Sequence, residues 1–263
     1  MHASDQDLPE RCLIYAHRGA NAEAPENTAS AFDRALQYRI DGIETDVQLS
    51  RDEVAVLWHD RFLGKVGLPD RHIDDFDYDA LQAMNFSRHF AADAPPESLM
   101  TLQQFLDDYR QRCGLLVEIK NRDWETAARR HLKVEQTLGM IARGATERIM
   151  VSSFNLDSLI HAHHCRTTCP LVYNLETDQT LADAERVLNA QPYLHGLCLP
   201  IEILDLAMVR LIRGHGKIIA VYTCNSDEEI NRALDLQVDI LISDLPQKAL
   251  QLRSFGMSAR NAA

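Results

Sequence analysis

The sequence predicts an α/β chain folded as a (β/α)8 barrel. Eight short runs rich in Ile, Val or Leu recur along it, each bounded by polar or turn residues, as strands buried on both faces are. Amphipathic stretches of helical period separate them. The length of 263 residues suits one barrel domain of about 250 residues. An open doubly wound sheet is the rival, but the chain has no G-x-G-x-x-G fingerprint and no phosphate-binding P-loop.

The strands are read as Cys12–Ala16, Gly42–Leu49, Leu115–Lys120, Arg148–Ser153, Leu171–Leu175, Gly196–Leu199, Lys217–Thr223 and Asp239–Ser243. The first helix, Asn27–Arg39, gathers Ala31, Phe32, Ala35, Leu36 and Tyr38 on one face. Thr101–Arg112 does the same with Leu102, Phe105, Leu106 and Tyr109. Further helices are expected at Trp124–Arg143, Leu156–Cys165, Leu181–Ala190, Leu204–Arg213, Asp227–Leu236 and Gln247–Ser254. One interval breaks this rhythm. After Val54–Leu57 and Trp58-His59-Asp60, about forty residues pass before Leu99, a length uncommon for a loop and usually functional. It holds five Asp between Asp70 and Asp79, a Pro95-Pro96 stop and a short helix at Tyr78–Asn85. It is expected to be an insertion at about 60–99 in a single domain spanning 1–263, with too few apolar residues for a core of its own.

Lys and Arg total 27 against 39 Asp and Glu, a net charge of −12 and a pI near 5.3. Such a surface repels nucleic acid and anionic membrane, so neither is an expected partner. No run of 18 apolar residues exists, so stable membrane insertion is not expected. The segment MHASDQDLPER lacks a basic and apolar leader pattern, which leads to an expected cytoplasmic location and to reduced thiols for the six cysteines. The sequence assigns no oligomeric state.

Catalytic groups of such a barrel sit at the carboxyl ends of its strands. Glu44 and Asp46 lie two apart on a strand, hence on one face and roughly 6.6 Å apart. If that face looks inward, each carboxylate costs several kcal/mol to bury, and the two repel. A divalent cation resolves the conflict, with Glu118 of the next strand as a third donor; hard oxygens favour Mg²⁺, Ca²⁺ or Mn²⁺ over Zn²⁺. Otherwise the acids face solvent or pair with Arg and Lys. Arg18 offers a planar fork for phosphate, and Lys120 either neutralises a phosphate oxygen or pairs with Glu118. His17 and His59, near strand ends, suit general acid and general base. Pro25-Glu26-Asn27-Thr28 is read mainly as a helix start, capped by Asn27 or Thr28. The run His161-x-His163-His164-Cys165-x₃-Cys169 suggests a soft metal, but it lacks the paired-cysteine spacing of usual zinc sites and is read as histidines suited to a helix carboxyl end.

At these residues the chain resembles the glycerophosphodiester phosphodiesterase family. The resemblance rests on Ala16-His17-Arg18-Gly19, Pro25-Glu26-Asn27-Thr28, Gly42-Ile43-Glu44-Thr45-Asp46-Val47-Gln48-Leu49 and His59-Asp60, in that order. Val117-Glu118-Ile119-Lys120, Ser152-Ser153-Phe154-Asn155, Thr223-x-Asn225 and Ser243-Asp244-x-Pro246 resemble its later motifs. The resemblance implies a (β/α)8 barrel with an insertion after strand two and one divalent cation at Glu44, Asp46 and Glu118. It further implies acid–base work by His17 and His59 and phosphate contacts from Arg18 and Lys120. The implied reaction is hydrolysis of a small glycerophosphodiester to glycerol 3-phosphate and an alcohol. Alternatives on the same barrel are a lysophospholipase D-like or phosphoinositide-cleaving enzyme, or a non-catalytic phosphodiester binder. The chain departs from the family's usual residues at Tyr222, Gln237, Gly64-Lys65 and Met100, none of them a proposed ligand or histidine. The acidic insertion leads us to expect a deacylated, water-soluble substrate such as glycerophosphocholine or glycerophosphoethanolamine.

Overall fold

A computed structural model describes residues 11–91 and 95–260. Its strands are β1 (Leu13–His17), β2 (Gly42–Leu49), β3 (Ala55–Leu57), β4 (Gly114–Ile119), β5 (Ile149–Ser153), β6 (Leu171–Asn174), β7 (Gly196–Pro200), β8 (Ile218–Tyr222) and β9 (Ile240–Ser243). The helices are α1 (Ala29–Gln37), α2 (Tyr78–Gln82), α3 (Leu102–Tyr109), α4 (Ala127–Ile141), α5 (Leu156–His164), α6 (Leu181–Ala190), α7 (Leu206–Gly214), α8 (Asp227–Asp235) and α9 (Pro246–Arg260). Parallel strands pair in the order β1-β9-β8-β7-β6-β5-β4-β2, and β1 pairs back onto β2. The expected eight-stranded parallel barrel is therefore closed, with helices around it.

Every residue of β2 and β4 is buried, as a strand between a filled interior and a helical coat must be. Alternation divides the strands into two layers. Tyr15, Leu116, Val172, Cys198, Ala220 and Ile242 point inward and pack together. Their neighbours Ile14, Ile43, Val47, Leu115, Val117 and Leu241 point outward into the larger core under the helices. Tyr15 plugs the amino-terminal end of the barrel. A Cβ on Gly42 would lie 2.3 Å from its ring, and one on Gly114 would lie 2.4 Å from its hydroxyl. Gly42→Ala is expected to overpack this plug and lower unfolding free energy by about 1–3 kcal/mol. An unchanged urea midpoint would show that Tyr15 moves freely.

Helices start where a polar side chain can take up free backbone N–H groups. Thr28, Thr101, Thr126, Asn155, Thr180, Asp205 and Ser226 each accept from an amide in the first turn of the next helix. The caps explain why α1 and α4 begin two or three residues after their apolar period does.

The interval between strands two and four of the chain differs most from expectation. β3 runs antiparallel on the upper half of β2, with Val47 opposite Leu57 and Leu49 opposite Ala55. Two 3-10 turns, Gly64–Val66 and Ile73–Asp75, and the short α2 follow. The segment does build a small core: Val56, Trp58, Leu63, Ile73, Leu81 and Phe86 bury one another apart from the barrel core. Residues that look scattered in sequence converge because tight turns fold them onto β3. Asp74 accepts from the Trp124 indole at 2.9 Å, Asp75 pairs with Arg71 at 2.8 Å and Asp77 with Arg51 at 2.6 Å. Three of the five aspartates are thus tied rather than merely solvated. All six cysteines are free thiols. Among the described residues no helix is long and apolar enough to cross a membrane.

Candidate active site

Alternation places the sequence-predicted residues at the carboxyl end of the barrel. Because Tyr15 and Leu116 point inward, so do His17 and Glu118, two residues further along their strands. Register then sets His17 beside Glu44 and Asp46 beside Glu118. The three acids are 4%, 1% and 7% exposed, in the order Glu44, Asp46, Glu118, and each offers an oxygen within 4.8 Å of the other two.

Two cations enter the same space. Lys120 Nζ lies 2.7 Å from Glu118 Oε1 and 3.1 Å from Asp46 Oδ1; Arg18 Nε lies 3.1 Å from Asp46 Oδ2. Both alternatives for Lys120 are compatible with this position, since it pairs with Glu118 and also faces the cavity. Three carboxylates against two cations leave an electrostatic conflict. Burial, then the Asp46 and Glu118 charges, pushes Glu44 well above the usual carboxylate range. Burial also raises Glu118, although Lys120 opposes it. For Asp46, burial acts upward but is outweighed by Lys120 and Arg18, which hold it low. Asp46 Oδ1 and Glu118 Oε1 are buried and share one ammonium, that of Lys120. Three converging hard oxygens and an excess of buried negative charge fit one divalent cation.

Each histidine is oriented by a carboxylate. His17 Nδ1 is 2.6 Å from Asp244 Oδ1, and its Nε2 is 3.9 Å from Glu44 Oε2. Asn21 and Asn225 each donate to Asp244 at 2.6 Å. Burial works against the Asp244 charge, but the bond to His17 prevails and holds this acid at about 2. Burial, followed by Arg18, lowers His17 despite Asp244. Its neutral tautomer therefore donates Nδ1–H to Asp244 and keeps an Nε2 lone pair toward the cavity. His59 Nδ1 is 2.9 Å from Asp60 Oδ1. Asp60 is held at about 2, where His59 and Lys65 overcome the upward effect of burial. His17, Arg18, Glu44, His59, Glu118 and Lys120 all line one cavity of about 160 Å³. A larger cavity, about 710 Å³, opens at the other end of the barrel around Tyr15, remote from these groups.

Several supporting residues escaped the sequence reading. Thr28 does cap α1, but Glu26 and Asn27 turn into the site. Asn27, held at a φ of 58°, donates to Asp46 Oδ2 at 3.0 Å; Glu26 accepts from Arg18 at 3.1 Å and from Lys65 at 2.7 Å. Lys65 also reaches Asp60 at 3.1 Å, so this departure from the family's usual residues links the insertion to the site. Gln48 donates to the Trp58 carbonyl at 2.7 Å, and Arg122 to the His59 carbonyl at 2.5 Å, which pins the His59 turn. Gln48 had a signal, since it continues the inward alternation of Glu44 and Asp46. Asn27 was marked only by its motif, with no sign of its bond to Asp46; Lys65 and Arg122 had no signal as site residues, because their partners lie on other elements.

Comparison with known proteins agrees with this geometry. A glycerophosphodiester phosphodiesterase of Bacillus subtilis (strain 168) is 26% identical over 251 residues, covering 90% of this chain and 85% of that protein. Another from Bacillus altitudinis is 27% identical over 248 residues, 91% and 97% of the two chains. The barrel is similar to the crystal structure of a glycerophosphoryl diester phosphodiesterase assigned in Silicibacter pomeroyi DSS-3, with a TM-score of 0.82, 22% identity and 95% of each chain covered. It is also similar to an Oleispira antarctica phosphodiesterase solved with its product sn-glycerol-3-phosphate, with a TM-score of 0.81, 24% identity and 91% and 96% coverage. These structural likenesses show the shared fold. Because the sequence profile of the glycerophosphoryl diester phosphodiesterase family matches residues 17–248, from His17 to α9, the chain belongs to that family.

Proposed function

We propose that this enzyme hydrolyses glycerophosphodiesters to glycerol 3-phosphate and an alcohol, with His17 and His59 as its acid–base pair. The carrying observation is that both imidazoles, each held through Nδ1 by an aspartate, line one cavity with Glu44 and Glu118 of the buried acidic triad. Glu44, Asp46 and Glu118 would hold one divalent cation, taken as Mg²⁺, Ca²⁺ or Mn²⁺. When bound, that ion supplies charge neutralisation and polarisation of phosphate oxygens. The Arg18 guanidinium and Lys120 ammonium share the negative charge of the reacting phosphate. His17, neutral with its Nε2 lone pair toward the cavity, takes the proton of the attacking oxygen. His59 donates a proton to the departing alcohol oxygen, its ring held by the contact between Nδ1 and Asp60. We further propose a cytoplasmic protein of one domain over 1–263 with an insertion at about 60–99. The test is release of glycerol 3-phosphate from a series of glycerophosphodiesters, with and without chelator; no release from any of them would overturn the assignment.

Support for a deacylated substrate comes from the small size of the cavity, about 160 Å³, and the net charge of −12. The opposing observation is Phe90, 37% exposed, which with Lys65 and His89 lines an opening beside His17 and Arg18. An exposed aromatic there would suit an acyl chain and favours the lysophospholipid reading. Glycerophosphocholine is expected to give the higher kcat/KM when compared with monomeric lysophosphatidylcholine. A clear preference for the lipid would reverse the reading and assign Phe90 to acyl contact.

A further inference from the structure

The outer helical layer carries a second set of metal donors that the reaction does not use. α4 and α5 follow neighbouring parallel strands, so they pack side by side and run the same way. On α4, His131 and Glu135 stand four apart; on α5, His161 and its carboxyl-terminal cap Cys165 do too. Spacing of four puts each pair on one helical face, and the packing turns the two faces together. Glu135, His161 and Cys165 each offer a ligand atom within 4.8 Å of the other two. His161 Nε2 already lies 2.9 Å from Glu135 Oε1. The His131 ring stacks on that of His161, 3.8 Å between centroids and 5° between planes, and so fixes its orientation.

This cluster differs from the one suggested by the run of residues 161–169. His163 turns away to stack on Tyr193 at 3.9 Å, and Cys169 is buried. His161 and Cys165 gain their partner from the preceding helix instead. Cys165 is exposed, whereas Cys113, Cys169, Cys198 and Cys224 are buried. The cluster lies toward the carboxyl end of α5, hence at the end of the barrel opposite the catalytic mouth.

We propose that Glu135, His161 and Cys165 form a second metal site, for a borderline divalent cation of the Zn²⁺ class. Thiolate, imidazole and carboxylate together match that class, whereas Mg²⁺ and Ca²⁺ take oxygen-rich sites. Three protein ligands leave one tetrahedral position open to water. Binding exchanges the thiol proton of Cys165 for a metal–sulfur bond and releases that proton to solvent; no redox change occurs. Because the thiol must lose its proton to bind, affinity rises with pH. The bound ion would fasten α4 to α5.

The test uses the full chain and Co²⁺ as an optical probe. A thiolate ligand gives Co²⁺ a near-ultraviolet charge-transfer band that the all-carboxylate triad in the barrel cannot give. The band is expected to saturate on titration, to bleach when Zn²⁺ displaces Co²⁺, and to persist in excess Mg²⁺. It is expected to vanish in Cys165→Ser, and His161→Ala should weaken Zn²⁺ binding by at least about tenfold. No band at saturating Co²⁺, or a band that survives Cys165→Ser, would overturn the site. Because the readout is thiolate ligation, it is independent of whether the proposed hydrolysis is correct.

Discussion

Replacing His17 or His59 by alanine is expected to lower kcat by about 10²–10⁴-fold each, the usual contribution of one general acid or base. Both side chains line the cavity while Nδ1 is bound to Asp244 or Asp60. Asp244→Asn should produce a smaller loss than His17→Ala, since Asn225 and Asn21 still border that position but the fixed negative partner is gone. The fold should survive, because neither histidine belongs to the apolar cores. Near wild-type turnover in His17→Ala would remove it from the mechanism, as it would His59 in His59→Ala. Far-ultraviolet circular dichroism and metal titration of each variant separate lost chemistry from lost structure.

The second large effect concerns the triad. Exhaustive chelation is expected to abolish turnover, and Mg²⁺, Ca²⁺ or Mn²⁺ to restore it. Glu44→Gln should reduce metal affinity by more than the about 10–100-fold that loss of an outer partner costs. The same substitution should leave the metal-free protein as stable as before, or more so. Glu44 is raised by burial and by Asp46 and Glu118, so its ionised form is disfavoured in the folded state. That cost is absent below the ordinary carboxylate range and appears as pH rises through it. A neutral glutamine removes the cost at neutral pH. Melting temperature and activity are therefore expected to move independently. Full turnover after chelation would refute the cation, and a lower metal-free melting point for Glu44→Gln would refute the electrostatic account.

The family assignment, the barrel and the grouping of the candidate site residues were legible in the chain because each depends on local pattern. Eight apolar runs and the helices between them reflect burial of parallel strands on both faces. Strand β2 was read with both of its ends correct, since every residue from Gly42 to Leu49 is buried. Glu44, Asp46 and Glu118 stood out because acids are out of place in such strands, and period two already put the first pair on one face. His17, Arg18, His59 and Lys120 were legible through motif order and position near strand ends.

Tertiary structure alone decided how those groups are held. Lys65 bridges Glu26 and Asp60, while Asn27 bonds Asp46 from across a helix start. The insertion's core was likewise hidden, because Val56, Leu81 and Phe86 meet only after the turns between them close. On the outer layer, Glu135 reaches His161 and Cys165 only because two helices follow neighbouring strands. Periodicity fixes the face a side chain takes within its own element, since that depends on backbone geometry a few residues long. Its partner on another element depends on strand register and helix packing, which are settled by burial of the whole core and leave no mark at any one position.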